Sequence, residues 1–169
     1  MRFTGLLSFL FLFYSTMSFG QNTSTPVIPN SCPVTKPAEQ PFIPPAPHPA
    51  KPDPGGFWFG TDRLWTALPR AGVWRLGHYT ADDPTFRQKL PFWRQDYDPH
   101  AQPAPNLTVS GRRIDAKAPP LLTDGKGSGA WTDDDEFIMT GINFPTTGCW
   151  EITSHFDDDA LTFVVWVLP

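Results

Sequence analysis

Cysteine and histidine are scarce in this chain, and their scarcity excludes several chemistries. There are two cysteines and four histidines, and His48, His78, His100 and His155 show no metal-ligand spacing such as i, i+4. No Cys-x-x-Cys pair is present, so a redox motif or a cysteine-based zinc site has no support, and each histidine is expected as a lone surface residue. The sequence also lacks a G-x-S-x-G turn for a serine nucleophile, internal repeats, heptads and any sustained helical period. Positive charge is in deficit: 13 Lys and Arg stand against 17 Asp and Glu, a formal net charge of −4. That balance argues against nucleic acid and against an anionic membrane surface as partners.

What is present begins with an export signal. Met1 and Arg2 give a positive start, residues 6–13 form an apolar core broken only by Ser8, and Ser18-Phe19-Gly20 offers small residues for cleavage. Residues 1–20 are therefore expected to be a signal peptide. The apolar core is too short to span a bilayer, and no transmembrane segment is expected after signal cleavage. Cys32 is no lipid-attachment site, because Pro29-Asn30-Ser31 precedes it. The sequence thus predicts a secreted or periplasmic protein, with a mature chain of about 150 residues that suits one domain. Two cysteines in such a compartment pair, so a Cys32–Cys149 disulfide is predicted.

Residues 26–54 are studded with proline and end in PFIPPAPHPAKPDP, a composition that disfavours helix and central strand. The expected organisation is a proline-rich arm over residues 21–54, tethered by Cys32, and a β-sandwich domain over residues 55–169. A free spacer would have no reason to carry the disulfide partner, so the arm is expected to lie across the domain. From Gly55 onward, aromatic and polar residues alternate between Gly and Pro breaks. Strands are read at residues 89–94, with Pro91 marking an edge or a bulge, and at 106–116 and 136–144. Another begins near Leu121, and residues 124–128 form a Gly-rich loop. Residues 144–169 form a closing hairpin. Trp150, Ile152 and Phe156 share its core face, and Cys149 points outward, which would pin the arm outside the sheet. Phe163, Val165 and Val167 line one face of the last strand, and Val164, Trp166 and Leu168 make the other apolar too, so that face needs cover. Roughly seven or eight short strands predict an all-β, antiparallel, immunoglobulin-like β-sandwich with a proline-rich N-terminal arm.

Two sets of residues carry candidate chemistry. Trp58 and Trp93, with Arg94 and the neighbouring Phe57, Phe59, Trp65 and Arg63, suit a platform for a sugar ring or a peptide. Trp65 and Trp93 are expected in the core, and Trp58, in the Gly-flanked GGFWFG run, is expected to be exposed. The acidic turns at Asp133 and Asp135 and at Asp157 and Asp159 offer oxygen ligands for Ca²⁺, although no EF-hand spacing is present. Solvated turns are the simpler account of them. Arg112 and Arg113 are expected to pair with Asp115 across strands, and Asp115 with Glu151 is the one carboxylate pair open to a hydrolase. The sequons at Asn22 and Asn106 matter only in a glycosylating host.

The strings CPVTKP, FWFGTDRLWTALP, KLPFWR, LTVSGRRIDAKAPPL, FPTTGCWEIT and LTFVVWV resemble a family of exported bacterial proteins with a sandwich-type domain. A weaker similarity runs to small immunoglobulin-like domains whose penultimate strand begins with a proline–glycine–tryptophan turn. The resemblance implies a fold and a compartment, with no activity, cofactor or catalytic residue attached. The expectation is a non-enzymatic module of the cell envelope whose partner is a saccharide or an envelope protein. The alternatives are an exported hydrolase with a carboxylate-based site and a Ca²⁺-binding structural domain. No cofactor is implied.

Overall fold

Alternating apolar positions between Gly and Pro breaks produce ten strands, and no helix occurs among the described residues. The computed structural model describes residues 27–78 and 80–169; the expected signal peptide and Asn22 lie outside them. The strands are β1 (Gly56–Gly60), β2 (Trp65–Pro69), β3 (Val73–Arg75), β4 (Phe86–Trp93) and β5 (Leu107–Arg113). They continue as β6 (Leu122–Thr123), β7 (Ser128–Trp131), β8 (Glu136–Phe144), β9 (Gly148–Phe156) and β10 (Asp159–Leu168). The number exceeds the seven or eight expected because β6 and β7 are short. β6 is the short strand expected near Leu121, whereas β7 forms where no strand is read, and both pair with the one edge of β8 that β4 leaves free.

One sheet runs β1-β2-β4-β8-β6 with β7 also on β8, and the other runs β3-β10-β9-β5. Every pairing is antiparallel except β3 with β10, where Val73, Trp74 and Arg75 run parallel to Trp166, Val167 and Leu168. The second sheet is therefore mixed, which corrects the wholly antiparallel expectation. A turn at residues 70–72 carries the chain out of β2 and across to the opposite sheet, so the direction of β3 is set by that crossing and not by a hairpin.

Inward residues of both sheets meet in one core. Phe57, Leu68, Leu90, Phe92, Ile138, Ile142 and Phe144 from the first sheet face Val109, Trp150, Ile152, Phe156, Phe163, Val165 and Val167 from the second. From Trp150 onward β9 buries Trp150, Ile152, Ser154 and Phe156, the period-two pattern of a strand with one face in the core, while Gly148 and Cys149 at its start are buried as well. The Trp150 indole N–H donates to the Thr146 carbonyl at 3.0 Å, which satisfies its one polar atom inside the apolar layer. Segment 121–127 bridges the sheets on one side. It pairs with β8 through β6, and the amides of Leu121 and Gly127 donate to the Gly111 and Leu107 carbonyls of β5.

Pro91 corrects a second expectation. It lies inside β4, which is flanked by β2 and β8, and not at a sheet edge. The β2–β4 ladder consists only of Trp65↔Trp93 and Thr66↔Phe92. The Pro91 carbonyl takes the Thr66 hydroxyl at 2.8 Å on that side, so the missing N–H falls where the ladder has already ended. The proline costs no strand–strand hydrogen bond.

The described part of the arm is docked at Cys32 to Thr35 and again at residues 42–49. Cys32 is bonded to Cys149, with 5.7 Å between their Cα atoms, and both are buried. Beyond the reach of three-residue β3, Val164 of β10 has an open backbone edge. Thr35 fills it: its amide donates to the Val164 carbonyl at 2.9 Å and its Oγ1 accepts the Val164 amide at 2.8 Å. Val34 packs so closely on Gly72 (φ 70°) that a Cβ there would sit 2.7 Å from a Val34 methyl. The crossing point thus demands glycine on both steric and conformational grounds. From there the arm reaches the outer face of the first sheet.

Beside the disulfide, Asp115 is gripped by Arg113 (Nε to Oδ1 at 2.7 Å, Nη2 to Oδ2 at 3.2 Å) and by the Cys149 amide at 3.1 Å. The Arg113 pair is local and the Cys149 contact joins distant segments, whereas Arg112 pairs across strands with Glu151 at 2.8 Å and not with Asp115. The Arg113 guanidinium first, and the Cys149 amide with it, hold the Asp115 carboxyl below the usual carboxylate range against a smaller upward push from burial. A carboxyl held lower in the folded than in the unfolded chain stabilises the fold above its unfolded value and stops doing so as pH falls through its folded value. Asp115→Asn should therefore cost about 1 kcal/mol at neutral pH, after screening is allowed for. That cost should vanish in strong acid. Urea unfolding of both proteins at the two pH values checks this, and a cost independent of pH would contradict it.

Candidate ligand-binding cleft

The outer face of the first sheet carries the aromatic residues that the core does not use. Trp58, Trp65, Trp93 and Phe137 alternate with the inward Phe57, Thr66, Phe92 and Ile138. Trp58 pairs in register with Ala67, whose small side chain leaves room for an indole, and Trp65 pairs with Trp93. Trp58 meets Trp93 edge to face with centroids 4.9 Å apart, and Trp93 meets Phe137 at 5.8 Å. Glycine sets the turn between β1 and β2. A Cβ on Gly60 (φ 148°) would lie 2.4 Å from the Leu64 carbonyl oxygen, so no other residue lets the chain return at this angle.

The arm covers this stripe. Phe42 and His48 lie against Trp65 at 6.1 and 5.1 Å, and the Trp58 indole N–H donates to the Pro49 carbonyl at 2.9 Å. Trp58 is consequently 6% exposed, which corrects its expected exposure. The alternation does place it on the outer face, but that face is not bare. Trp65 and Trp93 are buried as expected, in a cluster separate from the main core.

Asp135 is the polar hub. One carboxylate oxygen accepts the Trp93 indole N–H at 2.8 Å. The other faces His48 Nδ1 at 3.3 Å and accepts the Glu136 amide at 3.0 Å. His48 is thereby a contact between arm and sheet and not the lone surface residue expected. The remaining histidines have humbler settings: His78 meets Phe86, His100 meets Trp131, and His155 is exposed.

Between the end of the arm and this face lies a cleft of about 710 Å³, walled by Trp58, Trp74 and Trp93 and rimmed by Lys51, Asp53 and Asp135. Its volume falls within the range of small-molecule pockets. Of the residues singled out from sequence, Trp58 and Trp93 both line it. Arg94 does not join them: its guanidinium lies 4.1 Å over the Phe156 ring and pairs with Asp157 at 3.1 Å. Trp74, Lys51 and Asp53 are additions that sequence reasoning did not single out. The aromatic content around Trp74 was the only signal for them.

The four aspartates considered for Ca²⁺ are not assembled into one site. Asp157 pairs with Arg94, Asp159 with Arg63, and Asp135 with the indole and His48, while Asp133 is exposed. No group of three or more His, Cys, Asp or Glu suited to a metal occurs among the described residues. Asp115 and Glu151 are each taken by a separate arginine and form no facing carboxylate pair. No helix among the described residues is long and apolar enough to cross a membrane. No family model, curated protein or solved structure matches the chain.

Proposed function

We propose that the protein is an exported, non-enzymatic binding module of the cell envelope, and that its ligand is a saccharide held in the cleft between the arm and the outer face of the first sheet. The observation that carries this reading is the meeting of two outer-face indoles, Trp58 and Trp93, with the core indole of Trp74 in the lining of one cleft that also holds Lys51, Asp53 and Asp135. Indole faces suit the flat C–H surface of a sugar ring, and the rim supplies donors and acceptors for hydroxyl groups. Binding rather than turnover is favoured because Asp135 already has its acceptor sites engaged by Trp93, His48 and a backbone amide. The disulfide supports export, since such bonds persist in oxidising compartments. The immunoglobulin-like classification and the kinship with exported bacterial proteins belong to the same proposal. They are supported by the two-sheet core, the closing hairpin around buried Trp150 and the quoted sequence strings.

The test is calorimetric titration of the oxidised mature protein with cellohexaose and with soluble peptidoglycan fragments, alongside a Lys51→Ala/Asp53→Ala variant. Asp53 is exposed and Lys51 lies at the surface, so the variant should fold normally. A saturable heat that weakens at least several-fold in the variant supports the reading, at roughly 0.5–1.5 kcal/mol per lost hydrogen bond. Saccharide binding of equal strength in both proteins places the site elsewhere.

A further inference from the structure

A second cavity, of about 470 Å³, lies on the other side of residues 45–48 of the arm, beneath the turn at residues 132–136. Asp135 lines both cavities, so the two spaces adjoin at its carboxylate. The second differs sharply in charge. Asp96, Asp133, Asp134 and Glu136 line it, and none of the four has a cationic partner among the described residues. The two cations on its wall are already committed, Arg94 to Asp157 and the Phe156 ring, and His48 to Asp135. Tyr97, also on the wall, has its hydroxyl pushed up by burial first and then by the charges of Asp98, outside the cavity lining, and Glu136.

Acidic turns alone are common on solvated surfaces, but a second observation sets this one apart. Trp65 borders the cavity, is wholly buried, and its indole Nε1–H has no acceptor among the described residues. The neighbouring indoles of Trp58 and Trp93 both have one. A buried donor left without a partner is costly, and it calls for an oxygen atom. A bare cation would satisfy the carboxylates and be repelled by that N–H; a neutral sugar would satisfy the N–H and leave the carboxylates unmatched. A ligand with an ammonium group beside a hydroxyl or ring oxygen meets both.

We infer that this cavity is a subsite for an amino sugar, continuous past Asp135 with the aromatic cleft, so that the preferred ligand is an oligosaccharide bearing free amines. This rests on the saccharide reading above. In the docked arrangement His48 lies over Trp65, so the sugar that reaches Nε1 displaces His48 and thereby frees the oxygen of Asp135 that faces it.

Titration of the oxidised mature protein with a β-1,4-linked glucosamine hexamer, its N-acetylated counterpart, cellohexaose and pentalysine tests it, at low and high salt. The glucosamine hexamer should bind about tenfold more tightly than either uncharged hexamer at low salt, as a few partly exposed charge contacts allow. The preference should fade at high salt. Asp133→Asn/Asp134→Asn, at two exposed positions, should abolish the preference and leave the binding of uncharged hexamers unchanged. Equal binding of all three hexamers, or a preference that survives the double substitution, overturns the inference and leaves the saccharide reading standing. Pentalysine binding as tightly as the hexamer overturns the amino-sugar assignment. Binding of no hexamer overturns the inference, and, if the peptidoglycan fragments titrated above are silent too, the saccharide reading with it.

Discussion

Replacing Cys32 and Cys149 together by serine is expected to destabilise the protein by about 4–5 kcal/mol. The bridge spans 117 residues and so closes nearly the whole described chain into one loop, whose release restores a large conformational freedom to the unfolded state. The folded state loses as well. Cys149 is wholly buried, so a serine there would bury a hydroxyl in place of the apolar disulfide sulfur. Among the described residues, the Thr35–Val164 pair and the packing of Val34 on Gly72 then hold this part of the arm. Urea unfolding of the wild type and the double variant measures the difference, and the melting temperature should fall by roughly 10–20 °C. A loss below about 1 kcal/mol would mean that the bridge constrains little and that the arm docks without it.

Trp93→Ala carries the second large effect, about 3–5 kcal/mol, the usual range for deleting a buried tryptophan. Its ring is the contact between Trp58 and Phe137, and its N–H orients Asp135, which in turn holds His48 of the arm. The alanine variant should therefore lose stability and arm docking together, with faster amide exchange over residues 42–49. Trp93→Phe separates the two roles. It keeps most of the ring packing and leaves Asp135 without its indole donor, so stability should fall by only about 1 kcal/mol while saccharide affinity falls several-fold. Equal losses of stability in the two variants would contradict this division. A phenylalanine variant with full affinity would show that Asp135 needs no orientation by the indole.

The sequence makes the interior of this fold far more legible than its outside. Residues 136–144 and the closing hairpin are recognisable because period-two alternation reports burial directly, and β8, β9 and β10 bury the residues it marks. The disulfide is legible because two cysteines leave a single intramolecular pairing. Trp58 shows the limit. Alternation assigns it to the face opposite Phe57, but whether that face is open depends on Phe42, His48 and Pro49 of the arm, which no local pattern relates to it. Asp135 fails for the same reason. In sequence it is one member of an acidic run, and its role comes from an indole 42 residues away. Pro91 misleads because the rule placing proline at sheet edges concerns its missing N–H. Here that N–H falls on a stretch of β4 which its neighbour has already left.

The account turns on where a saccharide touches this molecule, and the indole N–H resonances of the seven tryptophans report that directly. A ¹⁵N–¹H correlation spectrum of the oxidised protein, recorded during titration with the glucosamine hexamer, should show the Trp58, Trp65, Trp74 and Trp93 indole signals moving with one saturation curve. The signals of Trp150, sealed in the core, and of Trp131, exposed on β7, should stay in place. Movement of Trp131 alone, or a spectrum unchanged at the highest ligand concentration, would contradict a binding site between the arm and the aromatic face.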